Sequence, residues 1–172
     1  MELWDIYDIN RYKTKRALIR GNELQNGDYH LVVNVCIFNS KDEMLIQQRQ
    51  SFKDGWPNKW DISAGGNALT GETSQMAAER ETFEELGIKL DLKKIRPHLT
   101  LNFNEGYDDV YLIEKDIEIS ELYLQDQEVQ GARWVSQTEI LKMIEKDEFI
   151  PYYPSLISLF FDMRKRYGYL CK

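Results

Sequence analysis

Residues 65–88 read "GGNALTGETSQMAAERETFEELGI" and constrain the fold more than any other stretch of the chain. The first part is a glycine-rich loop, and the second part predicts a helix over residues 73–86. Thr73 or Ser74 can cap this helix, because a side-chain oxygen there accepts a hydrogen bond from a free N–H of the first turn. Gly87 can end it in a left-handed conformation. The sequence therefore predicts a loop–helix unit in the middle of the chain.

One side of this helix is crowded with carboxylates. With about 100° between successive residues, Glu81, Glu84 and Glu85 fall within an arc of roughly 100°. Two like charges about 4 Å apart cost on the order of 4 kcal/mol at a partly buried site, and Arg80 alone cannot neutralise three of them. A hard divalent cation can, and Mg²⁺ prefers a few carboxylates with water and phosphate oxygens. The apolar side chains on the other side are predicted to face the core: Met76, Phe83 and Leu86.

Taken by itself, the acidic helix supports two interpretations. The first is a metal site built from the three carboxylates. The second is a solvated acidic face that carries an i,i+4 ion pair between Arg80 and Glu84, which is the commoner use of charges on a helix. The helix alone does not separate the two.

The rest of the chain predicts an α/β fold with a mixed sheet in a single domain over residues 1–172. The run "YHLVVNVCIFN" is almost continuously apolar and β-branched, so it reads as a buried central strand. The first two strands, within residues 1–28, form an extension to the core, with a turn near Lys13 and Thr14. The other strand patterns lie at residues 44–50, 60–64, 95–103, 109–119 and 131–136, and helical patterns lie at 136–147 and 155–168.

Composition and charge limit the classes of function. The net charge of −7 argues against a non-specific nucleic-acid binder, although a small phosphorylated substrate stays open if local cations hold it. No apolar run is long enough to cross a bilayer and no signal peptide is visible, so we expect no membrane contact. Cys36 and Cys171 do not suggest a disulfide framework, which favours the reducing cytoplasm. The oligomeric state stays open, a homodimer included.

The loop–helix unit resembles the signature of the Nudix hydrolase family. That signature is a glycine, five residues, a glutamate, seven residues, and then Arg-Glu-apolar-any-Glu-Glu-any-Gly-apolar. A random window would match its fixed residues with odds of roughly one in ten million. The one departure is Thr82, where the family usually has an aliphatic packing residue. The resemblance implies an α/β/α sandwich with a central mixed sheet, and its fixed positions here are Gly66, Glu72, Arg80, Glu81, Glu84, Glu85 and Gly87.

The resemblance also implies a mechanism, in which a diphosphate is cleaved with Mg²⁺, or Mn²⁺, as cofactor. Glu84 and Glu85 would be both metal-binding and catalytic, since one of the glutamates, or a downstream acid, would accept the proton of the attacking water. Arg80 would orient the carboxylates, and Glu72 would pair with Arg80 to fix the loop against the helix. The implied metal ligands are Glu81, Glu84, Glu85 and the Gly66 carbonyl.

The sequence before the glycine loop looks like the isopentenyl-diphosphate isomerase branch of this family and the hydrolases similar to it. In the isomerases a diphosphate-binding arginine and lysine stand where Arg49 and Lys53 stand, and a histidine stands where His30 stands. The catalytic cysteine of the isomerases falls at Gly65, where this chain has no thiol. Cys36 lies within the central strand, where a buried structural thiol is the simpler reading. Together with the complete glutamate helix, these differences favour hydrolysis.

Substrate contacts are predicted for Arg49, Lys53, Trp60 and Asp109. The two cations can bind a diphosphate, and ordinary surface charge is an equal alternative. Trp60 can stack on a nucleobase, although such residues more often anchor loops. We therefore predict a Mg²⁺-dependent hydrolase of a nucleoside di- or triphosphate or a similar diphosphate. The alternatives are an isomerase of isoprenoid diphosphates and a non-catalytic nucleotide-binding module.

Overall fold

The computed structural model describes residues 2–168 and 170. Within them the chain forms strands, three α-helices and one short 3-10 helix at Ile119–Glu121. The strands are β1 (Leu3–Tyr7), β2 (Lys13–Ile19), β3 (His30–Phe38), β4 (Glu43–Arg49), β5 (Trp60–Asp61), β6 (Ala64–Asn67), β7 (Leu99–Phe103), β8 (Gly106–Glu114) and β9 (Val129–Ser136). The α-helices are α1 (Ser74–Leu86), α2 (Gln137–Glu145) and α3 (Pro154–Met163).

The central sheet is mixed, as the sequence predicts. Its strand order is β5-β4-β3-β8-β7, with β6 paired to β3 and β9 paired to β4. The β3–β8 pair is parallel, whereas β3–β6, β4–β9 and β7–β8 are antiparallel. Helix α1 packs on one face, and α2 and α3 pack on the other, each over its own apolar core. The predicted α/β/α sandwich is therefore confirmed.

Strand β3 lies at the centre of both cores. Because side chains alternate along a strand, Val33 and Val35 face α1 while Cys36 and Phe38 face α2 and α3. The Cys36 thiol is fully buried, and burial raises its pKa well above the ordinary value. A thiol that stays protonated in an apolar core is unreactive, which agrees with a structural role. Cys171 lies outside the described residues.

The N-terminal extension is a separate two-stranded hairpin. β1 pairs antiparallel with β2, and residues 8–12 connect them. The predicted turn near Lys13 and Thr14 is therefore wrong, because both residues already belong to β2. The turn forms earlier because the carboxylate of Asp8 accepts hydrogen bonds from two backbone N–H groups of residues 8–12, which is a common way for aspartate to stabilise a turn.

Helix α1 begins and ends as its sequence predicts. The Thr73 hydroxyl accepts a hydrogen bond from the Met76 N–H at 3.3 Å. Gly87 ends the helix with φ of 74°. Thr82, the departure from the signature, is fully buried, and its hydroxyl donates to the Ala78 carbonyl at 2.7 Å. Thr82 is thus a packing position whose polar atom is satisfied within the helix.

The buried side of α1 differs from the prediction. Of the three predicted core residues, Leu86 is buried, whereas Met76 and Phe83 are 51% and 49% exposed. The helix instead turns its small side chains, Ala77 and Ala78, toward the sheet. Small residues let a helix lie close to its neighbour, and this orientation also carries part of the acidic stripe inward.

The layer on the other face consists of α2 and α3. The Ser136 hydroxyl caps α2 by accepting a hydrogen bond from the Glu139 N–H, and Pro154 begins α3. α3 ends at Met163, so the helical pattern predicted for residues 164–168 is not realised. Among the described residues, no helix is both long and apolar enough to cross a bilayer.

Candidate active site

A polar cavity of about 270 Å³ lies where α1, β6 and the end of β4 meet the segment before β9. It brings together most of the residues that the sequence analysis singled out, although they come from distant parts of the chain. The predicted site residues that line it are Gly66, Arg80, Glu81, Glu84, Glu85, Arg49 and Lys53.

Arg80 ties the glycine loop to the helix. Its Nε and Nη2 donate to the two carboxylate oxygens of Glu72 at 2.8 and 3.0 Å, and Nη2 also donates to the Asn67 carbonyl at 2.9 Å. Nη1 donates to Glu81 at 2.8 Å and to Glu84 at 3.0 Å. Burial alone would raise the pKa of Glu72, but the hydrogen bonds from Arg80 and a backbone N–H lower it. The pairing of Glu72 with Arg80 is therefore observed, with Glu72 behind Arg80 rather than in the cavity lining.

The three glutamates of the acidic stripe occupy different environments. The Glu84 side chain is 46% exposed, the Glu81 side chain is 15% exposed, and Glu85 is 6% exposed. The difference follows from the orientation of α1, because Glu85 lies on the same side of the helix as Ala78. The three carboxylates look equivalent in the sequence but differ in burial in the structure, from the exposed Glu84 to the buried Glu85.

Glu85 is a buried acid with two neutral donors. Its Oε2 accepts hydrogen bonds from Gln47 Nε2 at 2.7 Å and from the Gly65 N–H at 3.4 Å. Burial raises the pKa of Glu85 well above the ordinary value, and the nearby Glu81 raises it further. Burial also raises the pKa of Glu81, although Arg80 opposes the change. Carboxylates whose negative charge is poorly compensated attract a cation.

Gly66 lies directly against the Glu81 carboxylate. A Cβ at this position would come 2.3 Å from the nearest Glu81 oxygen, so a side chain cannot fit while that carboxylate stays in place. The glycine of the signature therefore lets the β6 backbone and a helix carboxylate share one wall of the cavity. This contact suits a ligand set that combines a backbone carbonyl with carboxylates.

The donor chemistry of the cavity fits Mg²⁺ or Mn²⁺, which prefer oxygen ligands. Within residues 2–168 and 170, no group of three or more His, Cys, Asp or Glu side chains is already arranged around a metal position. Arg80 bonds Glu81 and Glu84 instead. Since the Glu84 contact is solvent-exposed, an ion pair of this kind is worth only about 0–1 kcal/mol. Glu84 could therefore leave Arg80 to bind a divalent ion at little cost.

Substitution of Gly66 by alanine tests this wall of the cavity. The added Cβ would displace the Glu81 carboxylate, which is the end of a flexible side chain, so the fold is expected to survive while Glu81 leaves its position. We expect kcat/KM to fall by about tenfold or more, on the scale of a misplaced metal ligand, with Tm changed by less than about 3 °C. Gly131→Ala is the matched control, since a Cβ there meets nothing within 4 Å. Equal activity of the two variants would contradict the assignment.

Arg49 and Lys53, the two cations predicted to bind substrate, also line the cavity. Arg49 Nε donates to the Gly55 carbonyl at 2.9 Å, and its Nη1 lies 3.9 Å from an Asp61 oxygen. Lys53 Nζ pairs with Glu128 at 2.5 Å. Both side chains therefore hold fixed positions at the edge of the acidic site. A phosphate with a bound metal ion would contact carboxylates through the metal and cations through the phosphate oxygens. This cavity offers both kinds of side chain.

Trp60 and Asp109, for which substrate contacts are predicted, lie outside the cavity lining. Asp109 is almost fully buried, and its carboxylate accepts hydrogen bonds from Arg11 and Thr100. It therefore anchors the N-terminal hairpin to the sheet. The Trp60 ring is partly buried against the core beneath α2 and α3, with the Arg133 guanidinium 4.8 Å from its centroid. The sequence could not reveal either set of partners, because each is brought close only by the tertiary fold.

Some residues of the site were not predicted. Gln47, which holds Glu85, shares a face of β4 with the buried Leu45, so strict alternation along that strand predicts it to point inward. Glu2 and Arg20 also line the cavity. They reach it through the docking of the hairpin, for which the sequence carries no local signal.

Comparison with known proteins identifies similar chains. The model of the NUDIX domain matches residues 28–155. An uncharacterized Nudix hydrolase of Listeria monocytogenes is 52% identical over 153 residues, which cover 89% of this chain and 90% of that protein. An isopentenyl-diphosphate Delta-isomerase of Streptomyces coelicolor is 28% identical over 138 residues, which cover 76% of this chain and 69% of that protein.

Solved structures give the same picture of the fold. A crystal structure from Deinococcus radiodurans has a TM-score of 0.76 at 23% identity, and the match covers 92% of this chain and 98% of that one. A bifunctional NMN adenylyltransferase/ADP ribose pyrophosphatase from Francisella tularensis, solved with AMP and a Mn ion, has a TM-score of 0.58 at 22% identity and covers 76% and 40%. At these identities the likeness shows the fold alone.

Proposed function

Because the chain belongs to the Nudix hydrolase family, which acts on diphosphate-containing substrates, we propose that it is a divalent-metal-dependent hydrolase of a small phosphorylated substrate. The preferred substrate class is a nucleoside di- or triphosphate or a derivative. The observation that carries this proposal is a single cavity that combines three carboxylates with Arg49 and Lys53.

The residues that would hold Mg²⁺, or Mn²⁺, are the carboxylates of Glu81, Glu84 and Glu85 and the carbonyl of Gly66. When bound, such an ion supplies positive charge beside the phosphate oxygens and lowers the pKa of water. Arg80 is a positioning residue in this proposal. Its donors are already used by Glu72, Glu81, Glu84 and the Asn67 carbonyl.

Different side chains of the cavity bind the phosphate and accept the proton. Arg49 and Lys53 bind phosphate oxygens and orient the diphosphate, since charge-assisted hydrogen bonds to phosphate are strong. Glu84 or Glu85 accepts the proton of the attacking water. Burial raises the pKa of Glu85 above its ordinary value. The burial of Glu85 also keeps bulk water from competing for this acid.

The structure disfavours the isomerase alternative. A Cβ at Gly65, where the isomerases carry their cysteine, would come 2.3 Å from Asn34 Oδ1 and 2.9 Å from the Val33 carbonyl. No thiol can enter this position without a shift of β3. Incubation with isopentenyl diphosphate in D₂O tests the alternative directly, and deuterium in the allylic product would support it. We expect no incorporation.

A screen for phosphate release tests the proposed function. The purified chain is incubated with Mg²⁺ and a panel of nucleoside di- and triphosphates, sugar nucleotides and dinucleotides. We expect turnover of at least one member, abolished by EDTA and restored by added Mg²⁺ or Mn²⁺. Binding of panel members without turnover of any of them would instead favour the non-catalytic nucleotide-binding module.

A further inference from the structure

The N-terminal hairpin reaches the cavity from outside the family match, which begins at residue 28. The hairpin is fixed against the glycine loop and does not hang free in solvent. Three hydrogen bonds make this connection: the Thr70 N–H to the Leu3 carbonyl (2.8 Å), the Gly71 N–H to the Asp5 carboxylate (2.9 Å) and the Lys13 ammonium to the Glu72 carbonyl (2.9 Å).

The open end of this hairpin places an ion pair in the wall of the cavity. Glu2 precedes β1 and Arg20 follows β2, so antiparallel pairing sets them side by side. The Arg20 N–H donates to the Glu2 carbonyl at 3.0 Å, and Arg20 Nη1 donates to the Glu2 carboxylate at 2.9 Å. Both residues line the same cavity as the glutamates of α1. A guanidinium is thereby held at the site by a carboxylate from the same hairpin.

The cations of the cavity differ in how strongly their side chains are already bonded to other groups of the chain. Arg80 is bonded through all three of its nitrogens, and Lys53 pairs with Glu128. In the part of the chain that the structure describes, the side-chain hydrogen bonds of Arg20 go to Glu2, and the Arg20 side chain is 53% exposed. An exposed ion pair of this kind is weak and exchanges its partner readily. Arg20 is therefore, with Arg49, a guanidinium of the cavity that can accept a new anion, whereas the donors of Arg80 are already engaged.

We propose that Arg20 is a substrate-binding residue that exchanges the Glu2 carboxylate for phosphate oxygens of the substrate. This inference rests on the proposed function, because it assigns a further ligand to the same diphosphate. A guanidinium offers a planar set of donors that bind phosphate in a bidentate manner. Glu2 keeps that group directed into the cavity when the substrate is absent, and substrate must displace Glu2 on binding.

The test compares Arg20→Met with Arg16→Met. Arg16 is a close match, since it lies on the same hairpin, is 51% exposed and donates to Asp28 at 2.8 Å, but it is not part of the cavity lining. The probe is methylenediphosphonate, a diphosphate analogue that cannot be hydrolysed, titrated calorimetrically in Mg²⁺. We expect Arg20→Met to weaken its binding by about tenfold and Arg16→Met to change it by less than about twofold. Glu2→Gln should strengthen binding by about twofold or more, because the competing charge is removed.

Unchanged binding by Arg20→Met, or an equal loss in Arg16→Met, would overturn the inference. Melting curves show whether Arg20→Met folds, and if it does not, Glu2→Gln decides the outcome, since failure to strengthen binding would count against the exchange. Wild-type controls separate the two proposals. A wild-type chain that neither binds the analogue nor turns over any substrate contradicts the proposed function itself. Normal wild-type binding with no effect of Arg20→Met contradicts the role of Arg20 alone.

Discussion

Glu85→Gln is expected to lower kcat by at least about 100-fold while the chain stays folded. The change removes the charge and keeps the shape, so Gln47 can still donate to the remaining oxygen. Loss of a metal ligand or of a proton acceptor each has an effect of this order or larger. Steady-state kinetics in saturating Mg²⁺ with the substrate found in the screen measure it. Glu84→Gln should show a similar loss of kcat.

The thermal stability of the same variant is expected to move in the opposite direction. Burial raises the pKa of Glu85 above its ordinary value of 4.5, so the folded state favours the protonated acid. Stability from this group is complete below pH 4.5 and is lost as the pH rises through the folded-state pKa. At pH 7.5 in EDTA, Glu85→Gln should therefore melt higher than wild type by at least about 2 °C, corresponding to about 1 kcal/mol. The difference should shrink toward pH 4.5.

These two readouts together separate a functional acid from a structural one. If Glu85 served only to stabilise the fold, glutamine would lower Tm and leave kcat almost unchanged. Wild-type turnover in both glutamine variants would contradict the assignment of the acidic stripe as the site of catalysis.

Arg80→Met is expected to impair both stability and activity. Arg80 is largely buried and bonds three carboxylates, and breaking such a network by removing one partner costs about 3–5 kcal/mol. In a chain of this size that cost lowers Tm by roughly 6–20 °C. Urea denaturation and calorimetry measure the loss of stability. Activity assayed well below the new Tm should still be reduced, because Glu81 and Glu84 lose the group that positions them.

Arg20→Met supplies the control for this experiment. It also removes an arginine of the cavity, but its pair with Glu2 is exposed, so the free energy of unfolding should change by less than about 0.5 kcal/mol. If Arg80→Met is as stable as Arg20→Met, the view of Arg80 as the tie between loop and helix is wrong.

Local chemistry explains what the sequence predicted well. Thr73 and Gly87 predict the ends of α1, because capping depends on the residues at the helix ends themselves. The apolar run of β3 likewise predicts a buried strand, because the pattern lies within the strand itself. The signature residues from Gly66 to Glu85, apart from Glu72 behind Arg80, line one cavity because a single loop–helix unit carries them. Periodicity and spacing are sufficient to predict features that are formed by residues close together in the sequence.

The failures concern choices made by tertiary packing. Hydrophobicity favours Met76 and Phe83 for the core, but the sheet accepts the side of α1 with Ala77 and Ala78, which allows a closer approach. Asp109 is predicted to contact substrate, and the sequence does not indicate that the hairpin brings Arg11 to its carboxylate. Arg20 reaches the cavity through the same docking. Each of these outcomes depends on which surfaces pack together in the folded chain. No local pattern in the sequence predicts that packing.

The most direct test of the account is a crystal of the chain grown with Mn²⁺ and methylenediphosphonate, with data collected for anomalous scattering. We expect an anomalous peak between the side chains of Glu81, Glu84 and Glu85, within bonding distance of their oxygens, with the diphosphonate in contact with Arg49 and Lys53. A diphosphonate bound elsewhere, or no peak among these glutamates at saturating Mn²⁺, would contradict it.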